Sequence, residues 1–189
     1  MKTETNTRTK VNTKTITLIA VMTAVIAIAA PFSIPIPISP VPISLTVLTG
    51  FMAAYLLGWK HGTIAYCIYL LLGLVGIPVF SGFTSGPAKL LGPTGGYLIG
   101  FIFMVIISGF FFEKFEGNIL LGILGMILGL LVTYAFGTAW LAVQAKMDLW
   151  SALMAGVIPY LPADAVKMAV VMVVCPVIKK RVQPAIQAY

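Results

Sequence analysis

Two charged side chains, Asp164 and Lys167, lie at the head of the apolar stretch "YLPADAVKMAVVMVV", which runs from Tyr160 to Val174. Asp164 is the only acidic residue inside an apolar run of the chain, and Lys167 is the only basic one. On a helix, their spacing of three residues projects both side chains from one face. A carboxylate that accepts hydrogen bonds and an ammonium that donates them suit a small molecule with both N–H groups and a carbonyl or carboxylate.

The alternative is a structural pair, in which the two charges only neutralise each other. Such a pair contributes about 0.2–0.5 kcal/mol on an exposed helix, whereas either charge costs about 2.5–3.5 kcal/mol at the middle of a membrane. Pro162 fits the first turn of a helix, and the helix dipole there favours the negative charge of Asp164. Because pairing alone does not explain why both charges are kept, we interpret them as part of a substrate path.

The composition predicts a membrane protein with several spans. Of the 189 residues, 60% are hydrophobic and 9% are charged, and the mean hydropathy is +1.05; soluble domains average about 25% charged residues. The net charge of +7 does not indicate nucleic-acid binding, because the basic residues lie at the chain ends and between apolar runs. Cys67, Cys175 and the single histidine, His61, show no metal-ligand or triad spacing, so we expect neither a metal site nor a catalytic triad.

Six apolar segments predict an all-α integral membrane protein with six transmembrane helices. They cover residues 16–30, 44–58, 63–80, 95–112, 118–143 and part of 151–178. With the N-terminus in the cytoplasm, nine Lys and Arg residues lie inside and two, Lys89 and Lys146, lie outside. This bias predicts that both termini are cytoplasmic. We therefore expect a basic cytoplasmic tail (1–15), a single six-helix domain (16–178) and a second basic cytoplasmic tail (179–189).

The first apolar run has the outline of a secretory signal peptide, since it follows a basic N-terminus and ends "AIAAP". Pro31 directly after the small residues, and the further apolar spans, favour retention as the first transmembrane helix. Within this run Ala20 and Ala24 have the spacing of a close-packing motif, as do Gly122, Gly125 and Gly129 in the fifth. For the glycines we predict packing inside the bundle.

In this topology three Pro- or Gly-rich segments lie on the outer face: residues 31–44, residues 80–97 and "GVIPYLPAD". Proline spacing excludes helix from the first segment and favours an extended, polyproline-like path. Because free backbone groups cannot face lipid, we expect these apolar loops to cover a ligand pocket. Its predicted aromatic walls, hydroxyls and close-approach glycines are Phe80, Phe83, Tyr97, Tyr160, Thr84, Ser85, Thr94, Gly82, Gly95 and Gly96.

Four stretches resemble the BioY family: "PVPISLTVLTGFMAAYLLGWKHG", "YLLLGLVGIPVFSGFTSGPAKLLGPTGGYLIGF", "GTAWL" and "AGVIPYLPADAVK". The resemblance extends from about Ala20 to Val174, and "PADAVK" matches the family's Pro-x-Asp-x-x-Lys signature. BioY proteins are the biotin-binding S components of energy-coupling factor (ECF) transporters of prokaryotic cytoplasmic membranes. The resemblance implies a six-helix fold with an outward-facing vitamin pocket. It also implies partners, a transmembrane coupling subunit and two cytoplasmic ATP-binding subunits, with Ala20 and Ala24 as the docking face.

Biotin fits the chemistry of the charged pair. On the resemblance, Asp164 would bind the ureido N–H groups, and Lys167 the ureido carbonyl or the tail carboxylate. Lys89 is the other candidate for the carboxylate, although it could equally face lipid headgroups. We expect no cofactor in this chain and ATP only on the partner subunits. A membrane enzyme that uses Asp164 as acid or base, and a purely structural membrane subunit, are the alternative functions.

Overall fold

The computed structural model describes residues 13–37 and 39–187, with side chains up to residue 182. Most of the first predicted tail, residues 1–12, and the end of the second therefore lie outside the described residues. The elements, in chain order, are α1 (Thr13–Ala29), β1 (Ser33–Ile36), β2 (Ser39–Ser44), α2 (Thr46–Leu74), α3 (Pro87–Leu91), α4 (Gly95–Lys114), α5 (Ile119–Ala145), α6 (Leu149–Gly156) and α7 (Leu161–Gln187).

The fold is mostly helical, as predicted. Three helical stretches of the described residues are long and apolar enough to cross a membrane, namely Gly95–Lys114, Ile119–Ala145 and Leu149–Val182. The last of these contains α6, a 3-10 turn (Ile158–Tyr160) and α7. Helix α1 is apolar but shorter than these three. The count of six spans and the orientation of the termini stay predictions.

Helix α2 contains two of the predicted segments and reverses at one residue, Gly58. This residue has φ +74° and ψ −176°, a backbone conformation that strongly favours glycine. A Cβ built on it would lie 1.7 Å from Oε1 of Glu113 on α4. Past the reversal, Gly62 packs against the backbone of Ala53, where a Cβ would meet the Ala53 carbonyl oxygen at 2.8 Å. The halves before and after Gly58 therefore pack closely without a connecting loop.

The third predicted segment was expected to extend to residue 80, but the helix ends at Leu74. Gly76 has φ +111°, and Pro78 follows, so the chain leaves the helical conformation here. Phe80 then folds back onto the helix end, where its ring occupies the space that a Cβ on Gly73 would need. Within residues 75–80 only Val79 and Phe80 are buried, so only these two pack against the rest of the fold.

The proline-rich segment forms a β-hairpin. The fold is therefore not entirely α-helical, whereas an all-α fold was predicted. Strands β1 and β2 pair antiparallel, with Ser33 opposite Ser44 and Ile36 opposite Ser39, and the register shifts between Ile34 and Ile36. The extended backbone was predicted, but the pairing was not. A two-stranded sheet has only edge strands, and edge strands tolerate proline because its missing N–H can face away from the partner.

Helices α4 and α5 pack closely through glycines. A Cβ on Gly96 would lie 2.3 Å from Cβ of Trp140, and one on Gly125 would lie 2.4 Å from Cβ of Phe111. Gly129 lies against the backbone of Met104. The predicted role of these α5 glycines in packing within the bundle is confirmed. This close contact holds the inner faces of α4 and α5 side by side next to the site described below.

Candidate ligand-binding site

Asp164 and Lys167 form a buried ion pair at the start of α7. Nζ of Lys167 lies 2.8 Å from Oδ1 of Asp164, and Lys167 and Asp164 are 9% and 4% exposed, respectively. Asp164 lies in the first turn of its helix, as predicted. Its other oxygen, Oδ2, accepts a 2.5 Å hydrogen bond from the Tyr134 hydroxyl on α5. Three polar side chains from two helices therefore meet inside an apolar bundle.

This cluster has unused hydrogen-bonding capacity. A carboxylate offers about four lone-pair positions, of which Lys167 and Tyr134 occupy two. The ammonium of Lys167 has about three N–H donors, and one of them points at Asp164. The remaining acceptors and donors are adjacent. The cluster can therefore bind a ligand group that has both N–H donors and an oxygen acceptor.

The cluster lines a cavity of about 50 Å³. This volume lies below the roughly 300–1,000 Å³ that is typical of small-molecule sites, so the cavity has to widen to take a ligand of that size. Nine of the fifteen lining residues carry a polar side chain and six do not, so the wall places many polar groups beside apolar surface. The polar ones are Ser44, Thr46, Ser81, Thr94, Tyr97, Tyr134, Tyr160, Asp164 and Lys167; the others are Val41, Pro42, Val47, Leu98, Phe101 and Gly156.

The β-hairpin contributes to the cavity wall and is tied to the start of α7 through Tyr160. The hydroxyl of Tyr160 lies within hydrogen-bonding distance of two groups of β2, Oγ of Ser39 at 2.7 Å and the carbonyl oxygen of Val41. Val41 and Pro42 also line the cavity. The hairpin, the 3-10 turn and α7 thus form one connected boundary of the site.

Five of the predicted site residues line this cavity: Thr94, Tyr97, Tyr160, Asp164 and Lys167. Tyr97 also has a structural function. Its hydroxyl donates a 3.0 Å hydrogen bond to the carbonyl oxygen of Gly156, which ties α4 to the end of α6. The structure therefore brings Thr94, Tyr97 and Tyr160 into one cavity lining with the charged pair.

Phe80 and the predicted glycines lie away from the cavity lining. Phe80 is fully buried against Tyr69, with ring centroids 5.6 Å apart, so it anchors its loop. The backbone N–H of Gly82 donates a 2.9 Å hydrogen bond to the carbonyl oxygen of Pro31 at the base of the hairpin. Gly95 packs against the carbonyl of Leu90, and Gly96 packs against α5. These residues shape the loops and helix contacts that surround the site.

Lys89 lies on α3 and does not line the cavity. Its side chain is half-buried, and this burial lowers the pKa of its ammonium from the ordinary value. Among the other loop residues named above, Phe83 is 61% exposed and stacks edge-on with Phe32 of the hairpin, at 5.7 Å between ring centroids. The structure therefore places Lys89, the other predicted candidate for the tail carboxylate, outside the lining of this cavity.

Sequence reasoning missed Tyr134 and the hydroxyl residues at the start of α2. Tyr134 lies in "LLVTYAFGTAW", where the polar residues Thr133, Tyr134 and Thr138 interrupt a long apolar span. Polar residues inside a span are the signal that could have indicated Tyr134. Ser44 and Thr46 belong to "PVPISLTVLTG", a segment whose mild polarity was visible. Nothing in the pattern showed that these side chains face the ion pair.

The two alanines of α1 lie on its exposed face. Ala20 and Ala24 are both exposed, and Ile16 and Ile28 continue the same stripe at four-residue spacing with 52% and 68% exposure. The opposite face is buried, and there Thr23 donates a 3.1 Å hydrogen bond to the carbonyl oxygen of Ala65 on α2. The small residues are therefore on the side of α1 that packs on nothing within the described chain.

A sequence model described as the BioY family matches residues 2–184. The chain belongs to the BioY family. Among its relatives, the "Biotin transporter BioY" of Thermotoga maritima is 38% identical over 141 residues, which are 75% of this chain and 82% of that protein. The "Probable biotin transporter BioY" of Pyrococcus horikoshii is 39% identical over 135 residues, 71% of this chain and 78% of that protein.

The fold also matches that of a solved structure, the S-component for biotin from an ECF-type ABC transporter. The TM-score is 0.83 and the sequence identity is 35%, and the match covers 89% of this chain and 92% of the other. The BioY resemblance inferred from the sequence motifs is thus confirmed over nearly the full length. The family consists of transporter components rather than enzymes.

Proposed function

We propose that this chain is the substrate-binding S component of an ECF-type importer, and that it binds biotin in the cavity around Asp164. The buried Asp164–Lys167 pair, held by Tyr134 in an otherwise apolar bundle, is the observation that carries the proposal. Membership of the BioY family and the similarity to the S-component for biotin support it.

Biotin matches the cavity in chemistry. Its ureido ring has two N–H donors and a carbonyl acceptor, which suit the free acceptor positions of Asp164 and the free donors of Lys167. Its thioether ring and aliphatic chain are apolar, as are Val47, Leu98 and Phe101 in the wall. We assign the ureido N–H groups to Asp164, and the ureido carbonyl or the tail carboxylate to Lys167.

Equilibrium binding of labelled biotin to the purified chain tests the proposal. Asp164→Asn and Lys167→Ala should each weaken biotin binding by more than about 1 kcal/mol, because each removes a charged hydrogen bond. The second ion pair of the chain offers a matched control. Lys179 and Glu116 lie 2.6 Å apart in the exposed region where α7 meets the α4–α5 turn. Their variants Lys179→Ala and Glu116→Gln should leave the biotin affinity unchanged.

Two results would contradict the proposal. The first is an unmodified chain that does not bind biotin, or that binds thiamine or riboflavin equally well. The second is full biotin affinity in both Asp164→Asn and Lys167→Ala, which would make the ion pair structural. Binding that is lost in these two variants and kept in the two controls supports a site at the start of α7.

We further propose that α1 docks on a transmembrane coupling subunit through Ala20 and Ala24, and that two cytoplasmic subunits supply ATP hydrolysis. Small residues at four-residue spacing allow close helix–helix approach in a membrane, and the exposed position of both alanines supports this docking face. In this proposal both termini lie in the cytoplasm of a prokaryotic cell, and biotin enters the cavity from the outer side.

Bulky substitutions on two exposed alanine pairs of the chain test the docking face. Ala20→Trp and Ala24→Trp should reduce co-purification with the coupling subunit and leave biotin binding intact. Ala135 and Ala139 on α5 have the same spacing and are also exposed, so Ala135→Trp and Ala139→Trp are matched controls. An equal loss of co-purification for both helices, or none for α1, would contradict the assignment.

A further inference from the structure

Tyr69 on α2 carries a buried hydroxyl that makes no well-aligned hydrogen bond to any described residue. Its side chain is fully buried between Tyr66 and Phe80, at centroid distances of 5.4 and 5.6 Å. Within residues 13–37 and 39–187, its hydroxyl oxygen has no hydrogen-bond partner. Leaving a buried hydroxyl unpaired is unfavourable, and a phenylalanine would fill the same space without that penalty.

The neighbouring tyrosine shows the ordinary arrangement. Tyr66 is equally buried and lies one helical turn earlier in α2, and its hydroxyl donates a 3.1 Å hydrogen bond to the carbonyl oxygen of Leu98 on α4. The two tyrosines thus share a helix, a depth and an aromatic cluster. They differ in whether the hydroxyl has a partner, so the unpaired state of Tyr69 is specific to its position.

The hydroxyl of Thr46, at the start of α2, lies beside that of Tyr69, close enough to be its partner but outside hydrogen-bond geometry in this structure. Thr46 and Ser44 both line the ligand cavity, and Oγ1 of Thr46 accepts a 3.0 Å hydrogen bond from Oγ of Ser44. Two of these three hydroxyls, those of Ser44 and Thr46, therefore lie at the cavity wall. The third, that of Tyr69, lies beside Thr46 and outside the lining. All three are outside the Asp164 cluster, which comes from α5 and α7.

We propose that Ser44, Thr46 and Tyr69 form a second polar anchor of the cavity, which binds an acceptor oxygen of the ligand, either a carbonyl or a carboxylate. This anchor rests on the proposed function. The oxygen of Thr46 has two lone pairs, of which Ser44 fills one. When Tyr69 donates to the other, the Thr46 hydrogen is left to point into the cavity. Tyr69 is thus a positioning residue that acts on the ligand through Thr46.

The comparison of Tyr69→Phe with Tyr66→Phe tests the anchor, with biotin affinity and apo thermal stability measured on the purified full chain. Tyr69→Phe removes only a poorly aligned contact with Thr46 from the apo protein, so its apo Tm should stay equal or rise. Its biotin Kd should rise about 3- to 10-fold, the effect of one lost hydrogen bond. Tyr66→Phe loses the hydrogen bond to the carbonyl oxygen of Leu98 and should show the reverse, a lower apo Tm and a Kd within about twofold of the unmodified chain.

Variants of Thr46 complete the test. Thr46→Val keeps the shape and removes the hydroxyl, so biotin affinity should fall at least as far as in Tyr69→Phe. Thr46→Ser keeps the hydroxyl and should retain most of the affinity. In Thr46→Val, the further change Tyr69→Phe should have little additional effect, because Tyr69 acts through the lost hydroxyl.

The outcomes separate this anchor from the proposed function. If the unmodified chain binds no biotin, both are overturned. If it binds biotin and Tyr69→Phe binds equally tightly, only the anchor is overturned, and the Tyr69 hydroxyl is a structural feature or is satisfied by water. Additive losses from Thr46→Val and Tyr69→Phe would also overturn it, because they would show that Tyr69 does not act through Thr46.

Discussion

The Tyr134 hydroxyl donates a 2.5 Å hydrogen bond to Oδ2 of Asp164, which lies 30 residues further along the chain. Lys167 holds the other carboxylate oxygen, so the carboxylate is fixed from two sides. A group held in this way loses little freedom when a ligand binds, and pre-organisation of this kind favours affinity. The orientation of the charged pair therefore depends on α5 as well as on α7.

Removal of the Tyr134 hydroxyl should weaken ligand binding. Tyr134→Phe leaves Oδ2 of Asp164 without its partner, and hydrogen bonds to charged groups contribute about 1.5–3 kcal/mol. We expect a biotin Kd at least about tenfold higher, measured by equilibrium binding. Tyr55→Phe is the control, because Tyr55 lies beside Lys179, away from the cavity. Equal affinity in Tyr134→Phe and the unmodified chain would show that Lys167 alone orients the carboxylate.

Removal of one member of the ion pair should destabilise the protein more than removal of both. A single change strands a buried charge, at a cost of roughly 3–5 kcal/mol, whereas replacement of both partners by apolar or neutral groups is often near neutral. Thermal unfolding of Asp164→Asn, Lys167→Met and the double variant checks this without ligand. The double variant should have a higher Tm than either single one. A double variant with the lowest Tm of the three would contradict this expectation.

The connection between the hairpin and α7 should slow ligand release. Tyr160→Phe removes hydrogen bonds to both Ser39 and Val41, whereas Ser39→Ala removes only the first. We expect biotin to dissociate faster in the order unmodified chain, Ser39→Ala, Tyr160→Phe, as followed by release of labelled biotin into excess unlabelled biotin. The same dissociation rate in all three would mean that these hydrogen bonds do not restrain the exit of the ligand.

Gly58 should tolerate no side chain. Gly58→Ala combines a left-handed backbone with a clash against Glu113, and we expect a loss of roughly 2 kcal/mol or more in thermal stability. Gly76→Ala is the control, because Gly76 has φ +111° and a Cβ added to it would meet no atom within 4 Å. It therefore reports the backbone strain alone. If both variants lose the same stability, the contact with Glu113 has no effect.

The Glu116–Lys179 pair should contribute little to the stability of the fold, and only while Glu116 is ionised. The hydrogen bond that Glu116 accepts from Lys179 lowers the pKa of the Glu116 carboxyl. A carboxyl whose folded pKa is depressed contributes its stability above the unfolded pKa and loses it as pH falls through the folded pKa. Glu116 is 67% exposed, so solvent screening keeps the contribution below about 1 kcal/mol. Tm of the unmodified chain should therefore exceed that of Glu116→Gln slightly at pH 7, and the difference should vanish in acid below the usual range for Glu.

Residue type and spacing were enough to predict part of this site. Asp164 and Lys167 are rare charges in an apolar chain, and Pro162 marked the helix start beside them, so their position in the first turn followed from local rules. Tyr134 could not be found in this way. Its contact with Asp164 depends on which face α5 turns toward α7, and no local pattern specifies that rotation.

At other positions, sequence reasoning placed residues in the site that the structure uses for packing. Phe80 and Gly96 have the residue types of a binding wall, but Phe80 packs on Gly73 and Gly96 packs on Trp140. Aromatic and glycine residues serve packing and recognition equally well, so their type alone does not distinguish the two. The hairpin was only half predicted for a related reason. Proline spacing shows that a backbone is extended, but it does not show which other strand that backbone pairs with.

The link between Tyr160 and the hairpin joins residues 121 and 119 positions apart in the sequence. Ribosomes release the chain from its N-terminus, so β2 leaves the ribosome long before α7 exists. The cavity therefore cannot form until α7 has been made, and every earlier stage of biosynthesis lacks both charges of the pair. The proposed ligand-binding site is thus completed only by α7, and a nascent chain stopped before Asp164 would offer a ligand no such site.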